Sequence, residues 1–129
     1  MTPTDELRAL AERVMALTGP CREVDALAGK ACGVSPKIKN VYRANRYPKQ
    51  LLRVVEVYPA FTASIDAAMT LVAEGCAWDV DASAPELGID WRIYPAAAHG
   101  RQWQVKATAA TPALALTAAA LLARAEGDV

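Results

Sequence analysis

The chain is short of the side chains that most often do chemistry. It has one histidine, His99, and three cysteines, Cys21, Cys32 and Cys76, with no Cys-x-x-Cys spacing. A structural zinc centre needs four ligands, so no metal is expected and the cysteines read as reduced thiols. There is no P-loop, dinucleotide fingerprint or nucleophile elbow, and Thr62 and Ser64 stand where a helix cap is expected. No nucleophile is paired with a base and an orienting acid, so neither a catalytic residue nor a cofactor is expected. No run of about 20 strongly apolar residues occurs either. The longest uncharged stretch, 107–123, is mostly alanine and contains Pro112, which fits a buried helix and not a membrane span. The first residues carry acids and no apolar run, so no secretory leader is expected.

What is present is the composition of one soluble domain: 53% hydrophobic and 22% charged residues in a chain of 129, enough for a single core. Each of the three tryptophans opens the same pattern of Trp, polar residue and β-branched aliphatic: Trp78-Asp79-Val80, Trp91-Arg92-Ile93 and Trp103-Gln104-Val105. This period-two alternation predicts a three-stranded antiparallel sheet with Trp and aliphatic residues on one face. Four helices are predicted around it. Pro3 opens the first, which runs until Gly19-Pro20, and a second from Arg22 to Cys32 ends at Gly33. A third is capped by Thr62, with Ile65, Ala68, Met69 and Val72 spaced for burial, and a fourth, alanine-rich helix starts at Thr111-Pro112 and belongs in the centre of the packing. The fold class is therefore α/β, one domain with helices packed on an antiparallel sheet. Between the second and third helices, Pro36 and Pro48 interrupt the pattern, and a long basic loop leading into one strand is expected.

Charge is segregated although it balances. From Ala26 to Arg53 the chain has seven bases and no acid; from Val54 to Trp91 it has seven acids and no base. Such blocks can pair across the fold, or they can leave a basic surface for an anionic ligand. Within the basic block, Tyr42-Arg43-Ala44-Asn45-Arg46-Tyr47-Pro48-Lys49 interleaves two aromatics with three cations. Aromatic faces stack on a base while guanidinium and ammonium groups pair with phosphate, so Tyr42, Arg43, Arg46, Tyr47 and Lys49 are the candidate ligand-binding residues. An exposed cationic loop with structural tyrosines has the same composition. Arg92, with Asp79 and Gln104, is expected on the sheet face opposite the tryptophans and is a further candidate contact. Asp79 and Asp81 share that face at a spacing that can hold Mg²⁺, but the sequence places no third ligand beside them.

The stretch 58–75, with Tyr58-Pro59-Ala60-Phe61-Thr62-Ala63-Ser64-Ile65-Asp66 and Glu74-Gly75, resembles the phage α-β-α (ABA) sandwich domain of small phage and prophage proteins. So do Leu17-Thr18-Gly19-Pro20-Cys21-Arg22 and the closing Thr111-Pro112-Ala113-Leu114 block. Where that family commonly has an acid after Gly-Pro, this chain has Cys21, which puts the cap of the second helix in question. The resemblance implies a layered α/β fold and a mobile-element origin, hence the cytoplasm of a bacterial host, and it implies no reaction. Two functions are compatible with it. One is an accessory protein that sequesters a small, anionic, nucleotide-derived host defence signal without turnover. The other is a module that docks on a host protein to inhibit it or to assist phage assembly. A homodimer is also expected, because one core of this size leaves little room for a deep pocket.

Overall fold

The computed structural model describes residues 3–45, 47–72, 76–81, 89–95 and 105–127. Its elements run α1 (Pro3–Met15), α2 (Arg22–Ala31), β1 (Lys37–Tyr42), β2 (Leu51–Val57), α3 (Ile65–Met69), β3 (Cys76–Asp81), β4 (Ile89–Pro95), β5 (Val105–Ala109) and α4 (Pro112–Gly127). The fold is mixed α/β. Strands β3, β4 and β5 form an antiparallel sheet in sequence order, and β1 and β2 form a separate two-stranded ribbon. Helix α4 is the centre of the molecule: it packs on β4 and β5 on one side and on α1 and α3 on the other.

The sequence of α4 explains this position. Leu114, Leu116 and Leu121 are fully buried, as are Ala115, Ala118 and Ala119. A helix apolar on all sides is stable only when enclosed, and its alanines let neighbours approach the backbone closely. Thr111 caps it, its Oγ accepting from the Leu114 amide at 3.2 Å, with Pro112 at the first helical position as the sequence predicts. Buried Thr117 has one hydroxyl proton to share between the carbonyls of Ala113 (2.7 Å) and Phe61 (2.9 Å), which ties α4 to the 58–64 turn. At the far end Arg124 donates to the Leu71 carbonyl at 2.9 Å.

Helix α2 ends in a Schellman arrangement. Gly33 takes φ +73°, its amide donates to the Lys30 carbonyl, and the Val34 amide donates to that of Gly29. At the other end Cys21 occupies the cap position with no side-chain cap bond. Its amide is satisfied from outside the helix by Thr62 Oγ at 2.9 Å. Thr62 is therefore not the cap of α3, which the sequence pattern had suggested. Ser64 is, accepting from the Ala67 amide, and α3 is only five residues long. Thr62 instead joins a buried network centred on Asp25, whose carboxylate accepts from the Thr62 amide and hydroxyl, each at 2.8 Å, and from Arg22 at 3.0 Å. Arg22 also donates to the Tyr58 carbonyl at 2.7 Å. Because α3 starts late and is short, Ile65 and Met69 are partly exposed, while Ala68 and Leu71 take the buried positions.

In the three-stranded sheet, Trp78 pairs with Ile93, Val80 with Trp91, Trp91 with Ala107, and Ile93 with Val105. The first two Trp-led segments thus register as the alternation requires, and of the third the described Val105 pairs in the same register. Ile93 and Ala107 are fully buried and Val105 nearly so, while Lys106 and Thr108 are exposed. One face of β5 therefore meets α4 and the other meets solvent. Trp78, on edge strand β3, remains 38% exposed, so it is a partly covered edge residue and not a core anchor. Trp103 and the side chain of Trp91 lie outside the described residues.

The expected basic loop of residues 34–50 is instead mostly a strand and a turn. Lys37–Tyr42 pairs antiparallel with Leu51–Val57 in the register Lys37↔Val57 to Tyr42↔Leu51, with Leu52 as the extra residue of a bulge. The prolines do not break either strand: Pro36 precedes β1 and Pro48 lies in the connecting turn, so neither interrupts a ladder. The ribbon makes no substantial packing contact with any other described element.

Candidate functional site: the tip of the β1–β2 ribbon

The ribbon's register sorts its side chains into two faces, because residues directly opposite on antiparallel strands point the same way. Lys37, Lys39 and Arg53 share one face with the half-buried Val41, Val55 and Val57. Ile38, Asn40, Tyr42, Leu51, Val54 and Glu56 are grouped on the other. At the far end the chain turns through residues 43–50, closed by the Arg43 amide donating to the Gln50 carbonyl at 2.9 Å, with Asn45 in the left-handed region at φ 57°. Asparagine is among the few residues that tolerate this conformation, which is why it suits the turn.

Four of the six residues nominated from sequence are described at this tip. Tyr42, Arg43, Tyr47 and Lys49 are all exposed. Lys49 Nζ stands 5.7 Å from the centre of the Tyr42 ring, a cation–π contact that covers part of one face of that ring. The Tyr42 hydroxyl lies 3.4 Å from the Asn40 amide nitrogen, which donates to it. Tyr47 is 97% exposed, so both faces of its ring are open and it is the better stacking platform of the two. Arg46 lies outside the described residues. Arg92 is not brought to this cluster: it belongs to β4, opposite Asp79 and Lys106, in a sheet the ribbon does not pack against. Its side chain lies outside the described residues, as does His99.

Among the described residues no ion pair joins Lys37, Lys39, Arg43, Lys49 or Arg53 to the acidic block; the pairs formed are Arg8–Glu126, Arg13–Glu23 and Arg22–Asp25. These ribbon cations are exposed, on an element with no substantial packing against any other described element. Two hollows lie elsewhere. One of ≈ 510 Å³ runs between α1 and α2, over Leu10 and Leu27, and one of ≈ 310 Å³ sits at the ribbon base beside Lys37 and Tyr58. Neither is lined by a tip residue. Among the described residues no cluster of His, Cys, Asp and Glu suits a metal ion, and no helix is long and apolar enough to cross a membrane. Burial pushes the thiols of Cys32 and Cys76 up from their ordinary value, the nearby charge of Arg124 only partly opposing it, so both are poor nucleophiles.

The sequence reading missed the exposed aliphatic residues Ile38, Leu51, Leu52 and Val54. Lys37-Ile38-Lys39 and the stretch 51–58 do suggest extended segments from sequence, but nothing in their pattern marks these side chains as exposed. No known family, curated protein or solved structure matches the chain.

Proposed function

We propose that this chain is a phage or prophage accessory binding protein that captures an anionic, nucleotide-derived ligand at the tip of the β1–β2 ribbon and holds it without turnover. The observation that carries this reading is the gathering of Tyr42, Arg43, Tyr47 and Lys49 on one solvent-facing turn, their cations unpaired with any described acid. Arg43 and Lys49 supply charge-assisted hydrogen bonds to phosphate, and Tyr47 stacks on the base. Such a site is open, so binding rests on charge and stacking more than on enclosure, and it weakens as salt rises. The three sequence blocks that resemble the phage sandwich domain support the mobile-element setting, in which capture of a host signal is useful. Docking on a host protein is a second reading, favoured by the exposed aliphatic residues of the same ribbon.

Calorimetric titration with cyclic and ADP-ribose-type nucleotides tests the first reading. Wild type should bind one of the panel at micromolar affinity. The double variant Arg43→Ala, Lys49→Ala removes two charge-assisted bonds of about 1.5–3 kcal/mol each, a loss of roughly 100-fold or more. Wild-type binding weaker than about 100 μM across the panel would retire signal capture in favour of a protein partner.

A further inference from the structure

The ribbon has an apolar face that shares only Tyr42 with the proposed ligand-capture residues. Ile38, Leu51 and Val54 are 64%, 50% and 56% exposed, and Tyr42 is 45% exposed beside them. A free-standing two-stranded ribbon is at best marginally stable in water, and it needs its apolar face covered. Among the described residues no other helix or strand covers it, since neither β1 nor β2 packs substantially on another described element.

We infer that the apolar face of the ribbon is covered by the same face of a second copy, the two ribbons crossing antiparallel about a two-fold axis near the Asn40–Val54 pair. Charge selects this occupant. Lys37, Lys39 and Arg53 all point to the opposite side, so the apolar face meets itself without like-charge repulsion, as a two-fold interface requires. Its one charged residue, Glu56, lies at the ribbon base, paired with Ile38. Antiparallel crossing brings Glu56 of each copy to the other copy's tip, where Lys49 stands over Tyr42. Parallel crossing would set Glu56 against Glu56. Edge-to-edge pairing would satisfy the free strand edges and leave the apolar face wet. The face comprises only six side chains, at the small end of specific interfaces, so the dimer belongs in the micromolar range. The arrangement turns Lys37, Lys39 and Arg53 of both copies outward. It shares Tyr42 and Lys49 with the proposed ligand site but needs no ligand, because association is read on the protein alone.

Sedimentation equilibrium of the full chain from about 1 to about 100 μM tests this. Wild type should pass from monomer to dimer across the series. Ile38→Asp with Val54→Asp should raise the dissociation constant at least tenfold, with far-ultraviolet circular dichroism showing the helices intact. Glu56→Lys should also weaken association, and Glu56→Lys combined with Lys49→Glu should restore it, because the swap reverses both ends of the proposed ion pair. A wild type that stays monomeric overturns the inference. So does a dimer indifferent to the double aspartate variant, or a charge swap that fails to restore association lost in Glu56→Lys.

Discussion

Replacing Asp25 by Ala tests whether one buried carboxylate fastens α2 to the 58–64 turn. Asp25 is fully buried and accepts from the Thr62 amide, the Thr62 hydroxyl and Arg22. Alanine removes the acceptor and leaves the Thr62 amide with none, in a place water does not reach. An orphaned buried donor costs about 1–3 kcal/mol. The lost hydroxyl bond adds to that, while the Arg22 side chain is 58% exposed and recovers much of its interaction from solvent. The expected total is about 3–5 kcal/mol, the usual cost of removing one partner from a buried charged network. In a chain of this length that lowers the Tm by on the order of 10–20 °C. Asp25→Asn keeps one oxygen for Thr62 but turns an NH₂ toward the Arg22 guanidinium, donor against donor, so it should cost about half as much. Urea unfolding followed by tryptophan fluorescence reads both values. A loss below about 1 kcal/mol for Asp25→Ala, or equal losses for Asn and Ala, would refute the argument that Thr62 depends on this acceptor.

Two further outcomes follow from the packing. Gly29 lies against the ring of Tyr58 so closely that a Cβ there would overlap Cδ1. Gly29→Ala should therefore destabilise by about 1–2 kcal/mol in chemical denaturation despite the helix-propensity gain, and a stabilised variant would mean the ring moves aside freely. The Cys32 pKa is raised by burial, against the opposing charge and hydrogen bond of Arg124. Its contribution to stability is complete below the unfolded thiol's value of about 8.5 and is lost as pH rises through the higher folded value. The urea midpoint should fall between about pH 8 and 10, and Cys32→Ala should flatten that fall; an unchanged slope would assign the effect to other groups.

The sequence by itself determined the elements whose signals are local. The Trp-led alternation set the face on which Trp78 meets Ile93 and Trp91 meets Ala107, because a one-residue slip would turn the aliphatic residues away from the core. Thr111-Pro112 and Gly33 marked helix ends through backbone requirements that hold in any fold. The apolar run 113–123 of α4, broken only by Thr117, required enclosure. Tertiary structure decided the rest. Thr62 and Ser64 are both competent caps, and only the position of Asp25, 37 residues away in sequence, took Thr62 for another partner. The basic cluster was readable as residues, but whether its cations met the acidic block depended on where the ribbon stands, and it stands apart from the other elements. Arg92 and the tip residues were indistinguishable by type, and the topology placed them in separate sheets. Exposure of Ile38, Leu51 and Val54 was likewise invisible in the chain, since an aliphatic residue in a strand carries no mark of which surface, its own or another molecule's, will cover it.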